Sequence, residues 1–463
     1  MAEKIKSMTE GSPVKLIASF ALPLMLGNIF QQLYTVVDTM VVGRILGVQA
    51  LAALGASDWL NWMILGMVSG FAQGFSIKIA QEFGAGNMEK LRRAFACSIS
   101  LAAVLAVLLL ILSQWSLHTI LVWMSTPEDI IGSSILYLRI MFCGIPLLMA
   151  YNMAASVLRA MGNGKAPLYA MIVSSSVNIA LDILFVGGFH MGIAGAAAAT
   201  VIAEGCSAVY CITVIRKISY LNLRQEEKEE KRTSYWRMDV GLAWRLLLLS
   251  VPIAFQAVVI SVGGLVVQSV VNGFGVVFIA GFTATNKLYG ILEIAATAYG
   301  FAVTTYTGQN LGAGNIKRIK DGVRAGMLVA AATSVVISAV MIVFGRRIVG
   351  LFISGEPAQV AEAITIAYHF LLVLSLPLVI LYFLYVYRSA LQGMGDTMIP
   401  MLSGVAEFVM RITAVFVLPR IYGPEAVFFA EIAAWLGADV ILLTAYYIRM
   451  YQFTKKFSLQ KEG

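Results

Sequence analysis

Gln81-Glu-Phe-Gly-Ala-Gly-Asn87 returns as Gln309-Asn-Leu-Gly-Ala-Gly-Asn315, an offset of 228 residues. Other matches keep nearly the same distance. Leu22-Pro23 is echoed by Val251-Pro252 at 229, and Ser156-Val-Leu-Arg-Ala-Met-Gly162 by Ser389-Ala-Leu-Gln-Gly-Met-Gly395 at 233, which also carries Pro167 onto Pro400. Ordered matches at a nearly constant offset mark a duplicated unit. Between the copies lies a charged stretch centred on Glu226-Glu-Lys-Glu-Glu-Lys-Arg232, with mixed charge and no apolar period. The chain therefore divides into an amino-terminal lobe over 1–216, a linker over 217–240 and a carboxyl-terminal lobe over 241–463.

Composition says what each copy is made of. The 463 residues are 59% hydrophobic and 13% charged, with mean hydropathy +0.84. A soluble chain would carry about a quarter charged residues. The apolar material falls into long runs, which predict membrane helices near 14–43, 50–80, 94–116, 130–158, 166–187 and 193–216. The second copy gives 241–272, 277–308, 322–345, 358–391, 397–418 and 424–451. The polar start, Met1 to Lys15, leads into an apolar run too long for a signal-peptide core, so no cleaved leader is expected. The expected fold is all-α and integral to the membrane. Its twelve transmembrane helices form two homologous six-helix bundles around a central cleft.

The charges then orient the chain. With the amino terminus inside, 26 of the 33 Lys and Arg fall in inside connections, helix ends and tails, against four outside. That asymmetry is the positive-inside pattern of a multi-pass protein in the cytoplasmic (cell inner) membrane with both termini cytoplasmic. The net charge of +8 thus reports topology, and no nucleic-acid partner is expected. Cys97, Cys143, Cys206 and Cys211 have neither disulfide-framework nor zinc-site spacing and read as packing residues. The Gly-Ala-Gly-Asn copies follow no strand and lack Gly-Lys-Ser/Thr, which leaves a helix-ending turn rather than a phosphate loop.

Polar residues inside an apolar span are expensive and mark ion or proton paths. Asn178 and Asp182 lie four apart on one helix face. Gln31, Tyr34 and Asp38 form one stripe of the first span. Counting along helices, Asp38 lies roughly 9 Å and Asp182 and Thr200 roughly 12 Å from the outer helix ends, so three segments bring oxygen ligands to similar depth. Two carboxylates, an amide and a hydroxyl suit a hard cation such as Na⁺, and the same carboxylates can hold a proton. The alternative is polar glue between helices. Pro23 and Pro252, inside long spans, are static bends or hinges. Glu204, Glu293, Glu431 and Asp439 have no assigning pattern, whereas Glu407 and Arg411 have the spacing of a self-neutralising pair.

These features resemble the multidrug and toxic compound extrusion (MATE) family over nearly the whole length. The resemblance rests on Pro23 and Asp38, the paired Gln-x-x-Gly-Ala-Gly-Asn turns, Ser-x-x-x-x-Met-Gly after the fourth and tenth spans, and Asn178, Asp182 and Thr200. It implies a secondary transporter rather than an enzyme, without cofactor, coupled to Na⁺ or H⁺ at Asp38, Asn178, Asp182 and Thr200. Gln31, Tyr34 and Pro23 would support that network and the substrate cleft. The implied partners are small organic cations or amphipathic drugs and the lipid bilayer, with the chain as a monomer. Of the acids that some members carry on helices seven and ten, the seventh span offers Gln256 and no acid, and the tenth only Glu362 near its outer start. Two rival functions follow from the same sequence: a lipid-linked oligosaccharide flippase of this superfold, and an integral-membrane prenyltransferase. The first requires several bases in the cleft, the second a further acid-rich metal–diphosphate motif.

Overall fold

A computed structural model of the chain describes residues 7–124, 126–218, 221, 235–236, 239–353 and 357–462. Most of the expected linker, 217–240, lies outside the described residues. The first half contains α1 (Pro13–Ile45), α2 (Val48–Gly84), α3 (Met88–Trp123), α4 (Glu128–Cys143) and α5 (Ile145–Ala160). It ends with α6 (Lys165–Asp182), a π-helical turn over Ile183–Gly188, and α7 (Ile193–Arg216). The second half contains α8 (Val240–Val271), α9 (Val276–Gly312), α10 (Ile316–Gly350), α11 (Pro357–Ser375), α12 (Leu378–Gly393), α13 (Met398–Tyr422) and α14 (Phe429–Glu462). Among the described residues there is no strand.

Eleven of these helices are long and apolar enough to cross a bilayer, and α4 with α5, bent by 47°, makes a twelfth span. The fourth span of each half is broken where the sequence pattern predicts one continuous helix. Pro146 opens α5 and Pro377 precedes α12, at an offset of 231. A proline lacks the N–H that would continue the preceding helix, but it fits the first turn of the next. Outward faces of α3 and α10 expose Val107, Leu108, Ile111 and Leu112, and Leu328, Val335, Val336 and Val343. Such faces suit acyl chains rather than water.

The duplication is written in the backbone as well as in the sequence. Gly86 and Gly314 both have left-handed φ, 69° and 71°, and the following N–H groups of Asn87 and Asn315 close the turn onto Glu82 O and Asn310 O. Glycine adopts that conformation without the clash a Cβ would bring. Asn87 Oδ1 then accepts from Lys90 N at 3.0 Å and caps α3. Both Gly-Ala-Gly-Asn copies are therefore helix-ending turns.

Contacts group the chain into two compact units. The first contains Leu22–Ala254, and the second joins Met8–Ala21 to Phe255–Gly463. Thus α1 changes unit between Ala21 and Leu22, next to Pro23, while α8 changes between Ala254 and Phe255, next to Pro252. In the first unit, glycines on α2 let the start of α8 approach: a Cβ on Gly74 would lie 2.3 Å from Ser250 Cα, and one on Gly70 2.7 Å from Ala254 Cα. In the second unit, the segment before α1 is held by α9 and α10. Met8 N donates to Gln309 Oε1 at 2.8 Å, Asn310 Nδ2 donates to Met8 O at 3.1 Å, and Arg318 donates to Gly11 O at 3.0 Å.

Candidate functional site

In the first unit, α1 and α6 run side by side at Gly27. A Cβ there would meet Met171 Sδ at 2.7 Å. One turn on, Ser175 Oγ donates to Phe30 O at 3.3 Å. Eleven residues beyond Gly27 on α1 is Asp38, and eleven beyond Met171 on α6 is Asp182. Equal advance along two neighbouring helices carries the acids to the same level. Each carboxyl lies within electrostatic reach of the other.

Asn178 and Thr200 complete the group. Asn178 Nδ2 donates to Thr200 Oγ1 at 3.3 Å, and Thr200 Oγ1 donates to Ala196 O at 3.1 Å. The amide's hydrogens are thus turned towards α7. Asp38 and Thr200 are each 9% exposed, Asn178 1% and Asp182 0%. Asp38 Oδ1, Asn178 Oδ1 and both Asp182 oxygens are buried without a hydrogen-bond donor. Buried acceptors without donors are costly. A set of them, with two carboxylates among them, calls for a positive species: a proton or a hard cation.

The remaining sequence-predicted residues sit on α1 at other levels. Tyr34 is one turn from Asp38, and Gln31 lies beside Tyr34. Pro23 is fifteen residues from Asp38, about 22 Å along the helix, so it is no part of the oxygen cluster. Asp182 is the last residue of α6 before the π turn. Such wide turns recur at functional sites. Among the described residues no three His, Cys, Asp or Glu side chains converge as a metal-binding group; the donors of this cluster are the hard oxygens of two carboxyls, an amide and a hydroxyl.

Other polar residues depart from what spacing suggests. Glu204, one turn beyond Thr200 on α7, acts electrostatically on Tyr34 and lines the same region. Its signal in the sequence is the i, i+4 step from Thr200. Glu407 and Arg411 do not pair with each other. Arg388 Nη2 on α12 binds Glu407, and Arg411 Nη2 binds Glu431 on α14 at 2.8 Å. Arg388 is consequently buried in the second unit. Cys143 is exposed instead of packed, and accepts from Gln114 Nε2 at 3.4 Å.

Comparison with known proteins gives concordant results. The MatE family model matches residues 23–184 and 252–417. The chain is 32% identical to the probable multidrug resistance protein YoeA of Bacillus subtilis over 76% of this chain and 75% of that protein. It is 22% identical to the multidrug export protein MepA of Staphylococcus aureus, over 95% of each. A crystal structure of a MATE protein in complex with MaL6 superposes with a TM-score of 0.88 at 20% identity, covering 97% of this chain and 98% of the other.

Proposed function

The chain belongs to the MATE family of multi-pass membrane transporters, and from that premise we propose that it exports drugs by secondary antiport. The exported compounds are amphipathic, often cationic, organic molecules, and inward movement of Na⁺ or H⁺ drives them out of the cell. The relatives' names support the multidrug reading: they are a probable multidrug resistance protein and a multidrug export protein.

The observation that carries the coupling assignment is the set of donorless buried oxygens on Asp38, Asn178 and Asp182. A cation or proton arriving there removes a large electrostatic cost; its departure restores it. Such a site can drive export only if ion and drug favour different states of the protein, since an ion bound equally to both shifts nothing. Alternating access around the two units is the state change invoked. Pro23, where α1 passes from one unit to the other, is its hinge.

The test uses vesicles, a panel of cationic dyes, and pH and Na⁺ gradients imposed separately. Efflux under one gradient, lost in Asp38→Asn and Asp182→Asn with the protein still folded in the membrane, is the expected outcome. Full transport by both variants would sink the site. Absence of dye efflux under either gradient would sink the antiport reading.

A further inference from the structure

One face of α7 is turned away from the coupling site. Thr200 and Glu204 project from one side of this helix. At roughly 3.6 residues per turn, Ile202, Cys206, Val209 and Thr213 project from the other. These four follow one another at steps of four, three and four, which makes a continuous stripe.

The stripe borders a groove. Leu147, in the first turn of α5, forms the opposite wall. Gly205 keeps the walls apart, since a Cβ there would lie 3.3 Å from Leu147 Cδ1. Together with Tyr210 these residues enclose about 610 Å³. Leu147, Ile202 and Val209 are all exposed, so the groove opens outward rather than into the core of the first unit.

Its length matches one leaflet. Ile202 to Thr213 is eleven residues, about 17 Å at helical rise, against roughly 15 Å for half of a hydrocarbon core. Because α7 is long enough to cross the bilayer, the groove runs from near the midplane to one interface. Its polarity changes in the same direction. Ile202 and Leu147 line the deeper half. The hydroxyl-bearing Tyr210 and Thr213 line the shallower half, where Thr213 Oγ1 is already engaged, donating to Val209 O at 2.7 Å.

Two bases stand at the interface end. Arg216 and Lys217 are three and four residues beyond Thr213 and flank the same stripe. Both are exposed, and among the described residues no acid pairs with either. Bases at a helix C-terminus answer its dipole, but that amounts to roughly half a charge and leaves most of theirs uncompensated. On the distribution of Lys and Arg along the chain, this end is the cytoplasmic one.

The two features together select an occupant. An apolar groove one leaflet long takes a single acyl chain, and the bases take a negative head. An amphipathic cation would be repelled at the head end. A second copy docked through this face about a two-fold axis would set Arg216 and Lys217 against their own counterparts. An anionic phospholipid meets both requirements, and the cytoplasmic leaflet is where such lipids supply negative charge.

We infer that the groove between α5 and α7 binds one acyl chain of an anionic phospholipid, whose phosphate rests on Arg216 and Lys217. The site lies across α7 from Thr200, and its occupation requires no transport.

The experiment is photolabelling of the full chain in phosphatidylcholine nanodiscs. The probe is phosphatidylglycerol or phosphatidylcholine with a diazirine midway along one acyl chain, and labelled peptides are mapped by mass spectrometry. Two bases near an anionic head are worth on the order of tenfold in occupancy. At equal dose, phosphatidylglycerol should therefore label Leu147 and the stripe from Ile202 to Thr213 about ten times more than phosphatidylcholine. Arg216→Gln with Lys217→Gln should bring the two probes to parity. Val209→Trp, which fills the groove from an exposed position, should remove the label while both bases remain. Unchanged thermal midpoints check that these surface variants fold. Equal labelling by the two probes in the unaltered chain would overturn the proposal, as would a preference that survives loss of both bases or full labelling in Val209→Trp. Labelling displaced by the cationic dyes but not by unlabelled phosphatidylglycerol would overturn it in favour of a drug. A crosslink from α7 to α7 between copies, in place of the lipid label, would overturn it in favour of a dimer.

Discussion

Asn178 donates through Nδ2 to Thr200 Oγ1 at 3.3 Å, a bond that ties α6 to α7 one turn from Asp182. The bond also fixes which end of the amide is which. With the hydrogens committed to Thr200, Oδ1 is the atom left without a donor. Thr200→Val removes the acceptor and frees the amide to rotate. Orienting partners of ion ligands are worth roughly 10–100-fold in affinity, so the concentration of driving ion for half-maximal dye efflux should rise by about that factor in Thr200→Val. Thr200→Ser should retain near-normal coupling. Equal ion dependence in Val and wild-type proteins would mean that the bond positions nothing.

The coincidence of unit boundaries with Pro23 and Pro252 separates two roles for these residues. Inside a helix a proline forfeits one backbone hydrogen bond and costs about 3 kcal/mol relative to alanine. If the proline is merely tolerated, Pro23→Ala should stabilise the protein and leave efflux untouched. The expected outcome is a thermal midpoint equal to or above wild type with slower efflux. Unchanged efflux in Pro23→Ala would remove the hinge from the account.

The segment before α1 is anchored by Arg318, which donates to Gly11 O and to Asn310 Oδ1 and lies 5.8 Å over the Tyr306 ring. Arg318→Ala strips donors from partly buried acceptors, each worth about 1–3 kcal/mol when left unmet. A lower unfolding temperature in detergent is expected. Arg318→Lys, with its shorter reach and no planar fork, should recover only part of it.

Close packing of α2 on the start of α8 is equally exposed to test. A methyl at Gly74 would be driven into Ser250 Cα, a backbone atom that cannot swing aside. Gly74→Ala is expected to cost about 1–3 kcal/mol by overpacking, measured as reduced thermal stability. Gly86→Ala is strained for another reason, since its φ of 69° is a left-handed value that favours glycine.

Much of the architecture is legible in the order of residues alone. Hydropathy sets where a segment can cross a bilayer, because an unpaired backbone polar group in lipid is too costly for anything but helix. The runs of apolar residues therefore locate every span, and the paired Gly-Ala-Gly-Asn turns, whose φ angles prove equal within a few degrees, reveal the duplication. Asp38, Asn178, Asp182 and Thr200 are identifiable because a polar residue in such a run needs a reason to be there.

Pairing is not legible in that way. Spacing matches Glu407 with Arg411, but each finds its partner on another helix, because side chains reach across a packed interface as readily as along one helix. Nor does chain order disclose that the first turns of α1 belong with the second unit and those of α8 with the first. Local sequence determines which segments are helical and which residues are out of place in lipid, since both depend on the cost of exposing single groups. Which of those residues meet depends on where glycines such as Gly70 and Gly74 admit a neighbouring helix, and that is decided only in the tertiary structure.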